Sequence, residues 1–294
     1  MRLDPFSLKL FVSVVERGSI AAAAAQDHIA PAAVSKRLSE LEIQLRTPLL
    51  TRTNKGVQPT PAGTALLQMA RQLLLSLDDI AVQMREWSGG TRGQVRIFAN
   101  ISAITQFLPQ EIAAFLKRYP QVDVHLQERI STAVVKALQE NEADVGICTA
   151  STPALGLEVF PYHEDELVLI VPRGHALARK RSVALIETLD HDFVGLHTGS
   201  AINLALARAS LAAERNVRMR IQVTSYDALA RMVEAGLGIG VMPRAVAMPL
   251  AKSLGVKVVT LTDAWATRQL CLCVRSYEAL PVAAKLLVDS LRAS

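Results

Sequence analysis

The chain has three cysteines among 294 residues, too few to staple a fold with disulfides. Cys148, Cys271 and Cys273 are odd in number and lie within apolar runs, which suits buried thiols. In the segment RQLCLCVR, from Arg268 to Arg275, the two cysteines fall on one face of a strand. No further ligand stands nearby at a plausible spacing, so no metal is expected. Long hydrophobic runs are also missing: no stretch approaches the roughly 18 apolar residues of a membrane helix. The start, MRLDPFSLKLF, lacks the basic segment, apolar core and cleavage site of a signal peptide. The expectation is a cytoplasmic protein without a membrane partner. There is no G-x-S-x-G elbow, H-E-x-x-H pair, Walker loop or C-x-x-C pair, so neither an enzyme nor a bound cofactor is expected. GLGIG, Gly236 to Gly240, follows a helix and enters a strand, the reverse of the dinucleotide-binding order; its glycines are read as a helix end and a tight turn. The acid pairs Asp78-Asp79 and Glu164 to Glu166 are read as solvated. Excess charge is small: a net +5 and a pI near 9.3 permit an anionic partner without demanding one.

What is present suits a soluble globular chain, with half its residues apolar and a fifth charged, long enough for about two domains. The most informative stretch is Ser19 to Leu38, SIAAAAAQDHIAPAAVSKRL. Gly18 ends an amphipathic helix carrying Phe6, Leu10, Phe11, Val14 and Val15. Ser19 is a good N-cap for a second helix through the alanine run. Asp27-His28 interrupts that run, and Pro31 suits the first turn of a third helix beginning near Ala30. With Val34 at the centre of its buried face, Leu38, Leu41 and Leu45 follow within about 40°. Ala32, Ala33, Ser35, Lys36 and Ser39 are then left to read a duplex: hydroxyls and Lys36 reach phosphates, and alanines touch thymine methyls. An ordinary solvated helix face is the plainer alternative. Arg46, Arg52 and Lys55 follow, and TRTNKGVQPTPAG, Thr51 to Gly63, reads as a hairpin with Asn54-Lys55-Gly56 at its tip.

From these residues the segment Ser19 to Gly63 resembles the winged helix-turn-helix of LysR-type transcriptional regulators. The matches are Ala23-Ala24, Val34-Ser35, Leu41-Glu42, Pro48-Leu49, Arg52, Thr60 and Ala62-Gly63. The chain departs from the family pattern at Asp27, where Leu is usual, at Ala30-Pro31 for Thr-Gln, at Arg46 for Gly, at Leu50 for Phe and at Pro59 for Leu. Loss of the glutamine bears on operator preference, because an amide reads adenine well.

Thr60 to Trp87 forms one long helical pattern, with Leu66, Met69, Leu73, Leu77, Ile80, Met84 and Trp87 at steps of three and four. A helix of about 40 Å is awkward to bury in one small domain, so the seam is expected to pair two copies, with a tetramer left open. SGGTRG then reads as a hinge. From Gln94 onward short apolar strands alternate with amphipathic helices, the mark of an α/β domain. The expected strands are Val95 to Ala99, Val122 to Glu128, Ala143 to Cys148, Glu166 to Val171, Phe193 to Leu196, Arg218 to Val223, Ile239 to Met242, Lys257 to Leu261 and Arg268 to Val274. The expected helices are Ile104 to Tyr119, Ser131 to Glu140, Ala201 to Arg215, Ser225 to Ala235 and Leu280 to Arg292. This portion resembles the type-2 periplasmic-binding-protein fold of the LysR-type effector domain, through FLP at Phe107 to Pro109, YPQV at Tyr119, ADVGI at Ala143 and AGLGIGVMP at Ala235. The resulting division is a DNA-binding domain over about residues 1–59, a linker helix and hinge over 60–90, and an effector domain over 91–294. Its first lobe takes about 91–161 and 268–294, and its second about 162–267.

In such a domain the ligand lies between lobes, at strand ends where helix N-termini favour an anion. Ile101, Ser102, Ser131, Thr149, His197, Ser200 and Thr224 hold those places, although each hydroxyl could equally be an N-cap. Arg129 could face solvent or an anion. The expected function is a sequence-specific, homodimeric DNA-binding regulator modulated by a small organic acid. The competing reading is a cytoplasmic two-lobe solute-binding or catalytic protein whose helical N-terminus serves assembly only.

Overall fold

The computed structural model describes residues 3–53, 56–89 and 93–293. They divide into two compact units, Met1–Gly90 with Glu140–Glu142, and Thr91–Gln139 with Ala143–Ser294.

The first unit is a winged helix-turn-helix. Helix α1 (Pro5–Arg17) is capped by Asp4, whose carboxylate accepts from the Phe6 and Ser7 amides, and stops at Gly18, φ +64. Ser19 caps α2 (Ile20–Gln26). Helix α3 (Pro31–Leu45) starts with Pro31 in its first turn and ends at Arg46. Leu8, Leu10, Phe11, Val14, Ala23, Ala24, Val34, Leu38 and Leu41 make one buried core. Strands β1 (Leu50–Thr53) and β2 (Gly56–Pro59) pair antiparallel, Leu50 opposite Pro59 and Thr53 opposite Gly56. Helix α4 (Pro61–Gly89) is 29 residues long, about 43 Å at 1.5 Å per residue. Leu66 and Ala70 close the core, whereas Met69, Leu73, Leu77 and Ile80 stay 39–58% exposed. The seam residues Met84 and Trp87 have side chains outside the described residues.

The second unit is a curled two-lobe α/β domain. Lobe 1 is built on β3 (Gly93–Ala99), β4 (Val122–Glu128), β5 (Val145–Thr149), α5 (Ile101–Gln106), α6 (Leu108–Arg118), α7 (Ser131–Gln139) and α11 (Val282–Arg292). Strands β4, β3 and β5 run parallel. Lobe 2 holds β7 (Ser182–Val183), β8 (Asp192–Leu196), α8 (Ala201–Ala212), β9 (Arg218–Val223), α9 (Tyr226–Glu234), β10 (Ile239–Pro243), α10 (Arg244–Leu254) and β11 (Lys257–Leu261). Two long strands join the lobes. β6 (Glu158–Val171) pairs in its first half with β12 (Thr267–Val274) and in its second with β10 and β11. Separate buried cores sit on either side, one around Ile97, Leu108, Leu272 and Leu287, the other around Leu169, Phe193, Leu229 and Val241.

Three expectations need correction. Strand β6 begins at Glu158, eight residues earlier than the apolar run suggested; its polar first half is paired to β12 at the crossing between lobes, where few residues sit in a core. The expected helix Ile104 to Tyr119 is two helices broken at Phe107, because Pro109 cannot continue the hydrogen-bond ladder. Helix α10 was not foreseen: Pro249 inside it reads as a breaker, yet burial of Ala247 and packing of Val246, Leu250 and Leu254 on the second core hold it in place. The cysteines are buried free thiols, with Cys148 Sγ 3.4 Å from Cys273 Sγ. Among the described residues no helix is long and apolar enough to cross a membrane.

Candidate functional site

Two places hold the candidate site residues. The first is the outer face of α3 with its hairpin wing. Val34, Leu38 and Leu41 point inward, and Ala32, Ala33, Lys36 and Ser39 are exposed, with Ser35 half-buried. Lys36 Nζ stands 3.9 Å from Glu40 Oε1, both in solvent, a pair worth a few tenths of a kcal/mol at about i,i+4 spacing. Arg37 is engaged instead: Nη1 donates to Asp4 Oδ2 at 2.9 Å and to Ser7 Oγ at 3.4 Å, and the guanidinium lies 5.0 Å from the centre of the Phe6 ring. The Ser7 hydroxyl, helped by the Ser7 and Phe6 amides and by Arg37, holds the Asp4 carboxyl below its ordinary range. Arg37 thus braces α3 against α1. The Arg52 side chain and Lys55 lie outside the described residues.

The residues around the wing explain several positions of the family pattern. Glu42 Oε1 accepts from the Leu49 and Leu50 amides at 2.7 and 3.1 Å, which ties the start of β1 to α3. Thr60 Oγ1 donates to the Pro48 carbonyl at 2.8 Å and accepts from the Gly63 amide at 3.0 Å. A Cβ on Gly63 would fall 2.0 Å from the Leu49 oxygen. The Val57 amide donates to the Gly18 carbonyl at 2.8 Å, and Gly56, φ +126, leaves room for that approach. Arg46 occupies a left-handed cap, φ +51, the backbone that explains why glycine is usual there.

The second place is the cleft between lobes. Ser102 Oγ is 3.0 Å from the hydroxyl of Tyr226, reaching from lobe 1 to lobe 2. Burial pushes the Tyr226 phenol up, so it stays protonated. Arg268 Nη2 donates to Ser102 Oγ at 3.1 Å, and Nε donates to Asp165 Oδ1 at 2.7 Å; Nη2 also donates to Asp165 Oδ2. Asp165 and Arg268 are register partners on β6 and β12, the two strands that cross between lobes. Gln106 Nε2 supports both Asp165 Oδ2 and the Ser102 carbonyl at 3.1 Å. Ser131 Oγ accepts from Asn100 Nδ2 and from the Thr149 amide, each at 3.3 Å, binding the ends of three strands together.

The structure brings most of the expected cleft residues together. Ile101, Ser102, Ser131, His197 and Ser200 line one space, with Thr149 on the wall of an adjoining one. Ser200 is an N-cap, accepting from the Asn203 amide at 3.3 Å; Ser102, Ser131 and Thr149 cross-link elements instead. Arg129 lines the same space with its guanidinium 5.7 Å from the Phe98 ring centre. Thr224 is exposed and lines neither space, because β9 ends just before it and the chain turns inward only at Tyr226. Sequence reading missed Tyr226, Asp165 and Arg268. Arg268 was legible only as the first residue of an apolar strand. Three buried side-chain nitrogens have no partner among the described residues: His197 Nδ1, Trp265 Nε1 and Arg268 Nη1.

A winged helix-turn-helix, a long helix and a two-lobe α/β domain with a polar cleft make up a DNA-binding regulator with an effector domain. Residues 6–64 match the bacterial regulatory helix-turn-helix model of the lysR family, and residues 88–294 match the LysR substrate binding domain. The chain belongs to the LysR family of transcriptional regulators. The uncharacterized HTH-type transcriptional regulator YbhD of Escherichia coli K12 is 28% identical over 285 residues, 97% of this chain and 90% of that protein. The probable HTH-type transcriptional regulator LrrA of Synechococcus elongatus is 30% identical over 247 residues, 83% of this chain and 82% of that one. Full-length CbnR in complex with its target DNA superposes with a TM-score of 0.72 at 22% identity, covering 99% of both chains. Two effector domains also share the fold, each over 69% of this chain and 97% of the other. They are CcmR of Synechocystis PCC6803 with 2-PG (TM-score 0.63, 23% identity) and QuiR with shikimate (TM-score 0.62, 18% identity).

Proposed function

We propose that this regulator answers to a small organic acid bound between its lobes. The observation that carries the reading is Arg268, 7% exposed where the lobes meet, with Nη1 enclosed and without a partner among the described residues. A buried donor without an acceptor costs about 1–3 kcal/mol, which a carboxylate oxygen would recover. Ser102, Ser131, Thr149, His197 and Ser200 surround it with donors, and Ile101 packs across on the second core. The ligands named for QuiR and CcmR support a small effector in this fold.

In the first unit, Ala32, Ala33, Ser35, Lys36 and Ser39 read the major groove, and Arg52 and Lys55 hold backbone phosphates from the wing. The exposed stripe Met69, Leu73, Leu77 and Ile80 pairs two copies, so that two heads meet half-sites one or more turns apart. The protein works in the cytoplasm, where its operator is.

Footprinting on DNA upstream of its own and neighbouring genes, with competitor and a salt titration, tests the reading. The expected result is a two-fold symmetric protected site whose pattern changes with one or more small mono- or dicarboxylic acids. Ser102→Ala with Ser131→Ala blunts that change and leaves basal DNA affinity intact. A footprint indifferent to every acid refutes the effector, and uniform, competitor-sensitive binding refutes sequence specificity.

A further inference from the structure

We propose, building on the reading of an acid held between the lobes, that the effector carries a ring or branched hydrocarbon body. That body lodges in a chamber beside the hydroxyl cluster, with Trp265 and Arg208 selecting it. Space decides the first step. The hollow lined by Asn100, Ser102, Ser131, His197 and Tyr226 measures about 20 Å³, room for about one water. The adjoining chamber measures about 450 Å³, within the roughly 300–1,000 Å³ of small-molecule sites. Arg268 lines both, so a carboxylate at its guanidinium leaves the rest of the ligand only the chamber.

The walls decide the chemistry. Ala201, Ala205, Arg208 and Ala209 recur on α8 at spacings of four, three and one, which puts them on one face. Three of the four end in a methyl group, and the missing bulk is the chamber. Trp265 lines the same chamber, packed on the core of lobe 2, its Nε1 enclosed and without a partner among the described residues. Thr149, Ser151, Thr267 and Gln269 add polar groups to the lining, while the indole and the alanine methyls give the ligand body a hydrocarbon surface to pack on, which favours a ring or branched acid over a small hydroxy acid. Arg208, on the same lining, is exposed and makes no ion pair among the described residues. An exposed cation and a buried one on the same lining select an anion over its neutral amide.

The chain has two tryptophans, so Trp87→Phe in the full-length protein leaves Trp265 as the only indole. The probes are cyclohexanecarboxylate, which is transparent where tryptophan is excited, benzoate read by calorimetry, cyclohexanecarboxamide and lactate. The expected result is a saturable change in Trp265 emission with cyclohexanecarboxylate and matching heat with benzoate. Ala205→Leu weakens both by at least about tenfold through lost room. Arg208→Gln weakens them by roughly three- to tenfold, and the carboxamide binds at least about tenfold more weakly than the acid. Ala209→Val fills a different part of the wall and gives the same loss should Ala205→Leu not fold. Lactate binding that Ser131→Ala weakens, with ring acids silent to their solubility limit, overturns the chamber and leaves the inter-lobe acid standing. Ring acids that bind equally well to both filled variants also overturn it. Silence from both classes of acid overturns the chamber and the inter-lobe reading together.

Discussion

Two neighbouring basic residues on α3 predict opposite phenotypes. The Lys36 side chain is 80% exposed, and its contact to Glu40 is 3.9 Å long, so releasing it costs about 0.3–0.5 kcal/mol or less. It is available to a phosphate. Lys36→Ala should lower the slope of log affinity against log salt by about 0.9 for each DNA-bound head. Across a fourfold rise in salt, from about 50 to 200 mM, the wild type then loses roughly 3.5-fold more affinity per head than the variant, on every sequence. Arg37 is already committed to Asp4, Ser7 and the Phe6 ring. Both ionic side chains are more than two-fifths exposed, and solvent screens the pair, so Arg37→Ala should cost about 0.5–1 kcal/mol of stability and leave the salt slope alone. Fluorescence anisotropy of a labelled duplex across a salt series reads the first effect, and urea unfolding reads the second. An unchanged slope in Lys36→Ala, or a shallower one in Arg37→Ala, refutes this division of labour.

Arg46 at φ +51 carries the cost of a side chain in the left-handed region, about 1–2 kcal/mol, part of which glycine returns as extra freedom of the unfolded chain. Arg46→Gly should therefore stabilise the first unit by about 0.5–1 kcal/mol; a loss of stability in urea unfolding contradicts that account. His175 caps the turn of 3-10 helix Ala176–Arg179 by accepting from the Leu177 amide on Nδ1 at 3.2 Å. Burial, with His191 close by, holds its pKa below the ordinary 6.5. The unfolded chain therefore takes up the proton first: the contribution to stability is full above about pH 6.5 and is lost as pH falls through the folded value. His175→Asn keeps an acceptor at the cap and should flatten the thermal stability profile below about pH 6.5. A profile as steep as the wild type's would mean that His175 is not the titrating group.

The helices of the first unit and their order were legible because each is announced locally, by Asp4, Ser19 and Pro31 at the starts and by 3.6-residue burial around Phe11 and Val34. The strands of the second unit were legible wherever both faces are covered, as in β5 and β10, because burial then writes itself as an apolar run. The polar half of β6 and the proline-bearing α10 were hidden because their stability comes from partners distant in the chain. The same holds for the cleft. Capping hydroxyls such as Ser200 act within three residues, so sequence reveals them. Ser102 meets Tyr226 across 124 positions, and Asp165 meets Arg268 across 103. No periodicity encodes such pairs. The sequence by itself determined most of the elements, the solvent-facing side of α3 and the family pattern, all of which rest on interactions spanning a few residues. Only the tertiary structure decided which residues share the cleft and how much space they leave. Both depend on the way two long strands carry one lobe against the other.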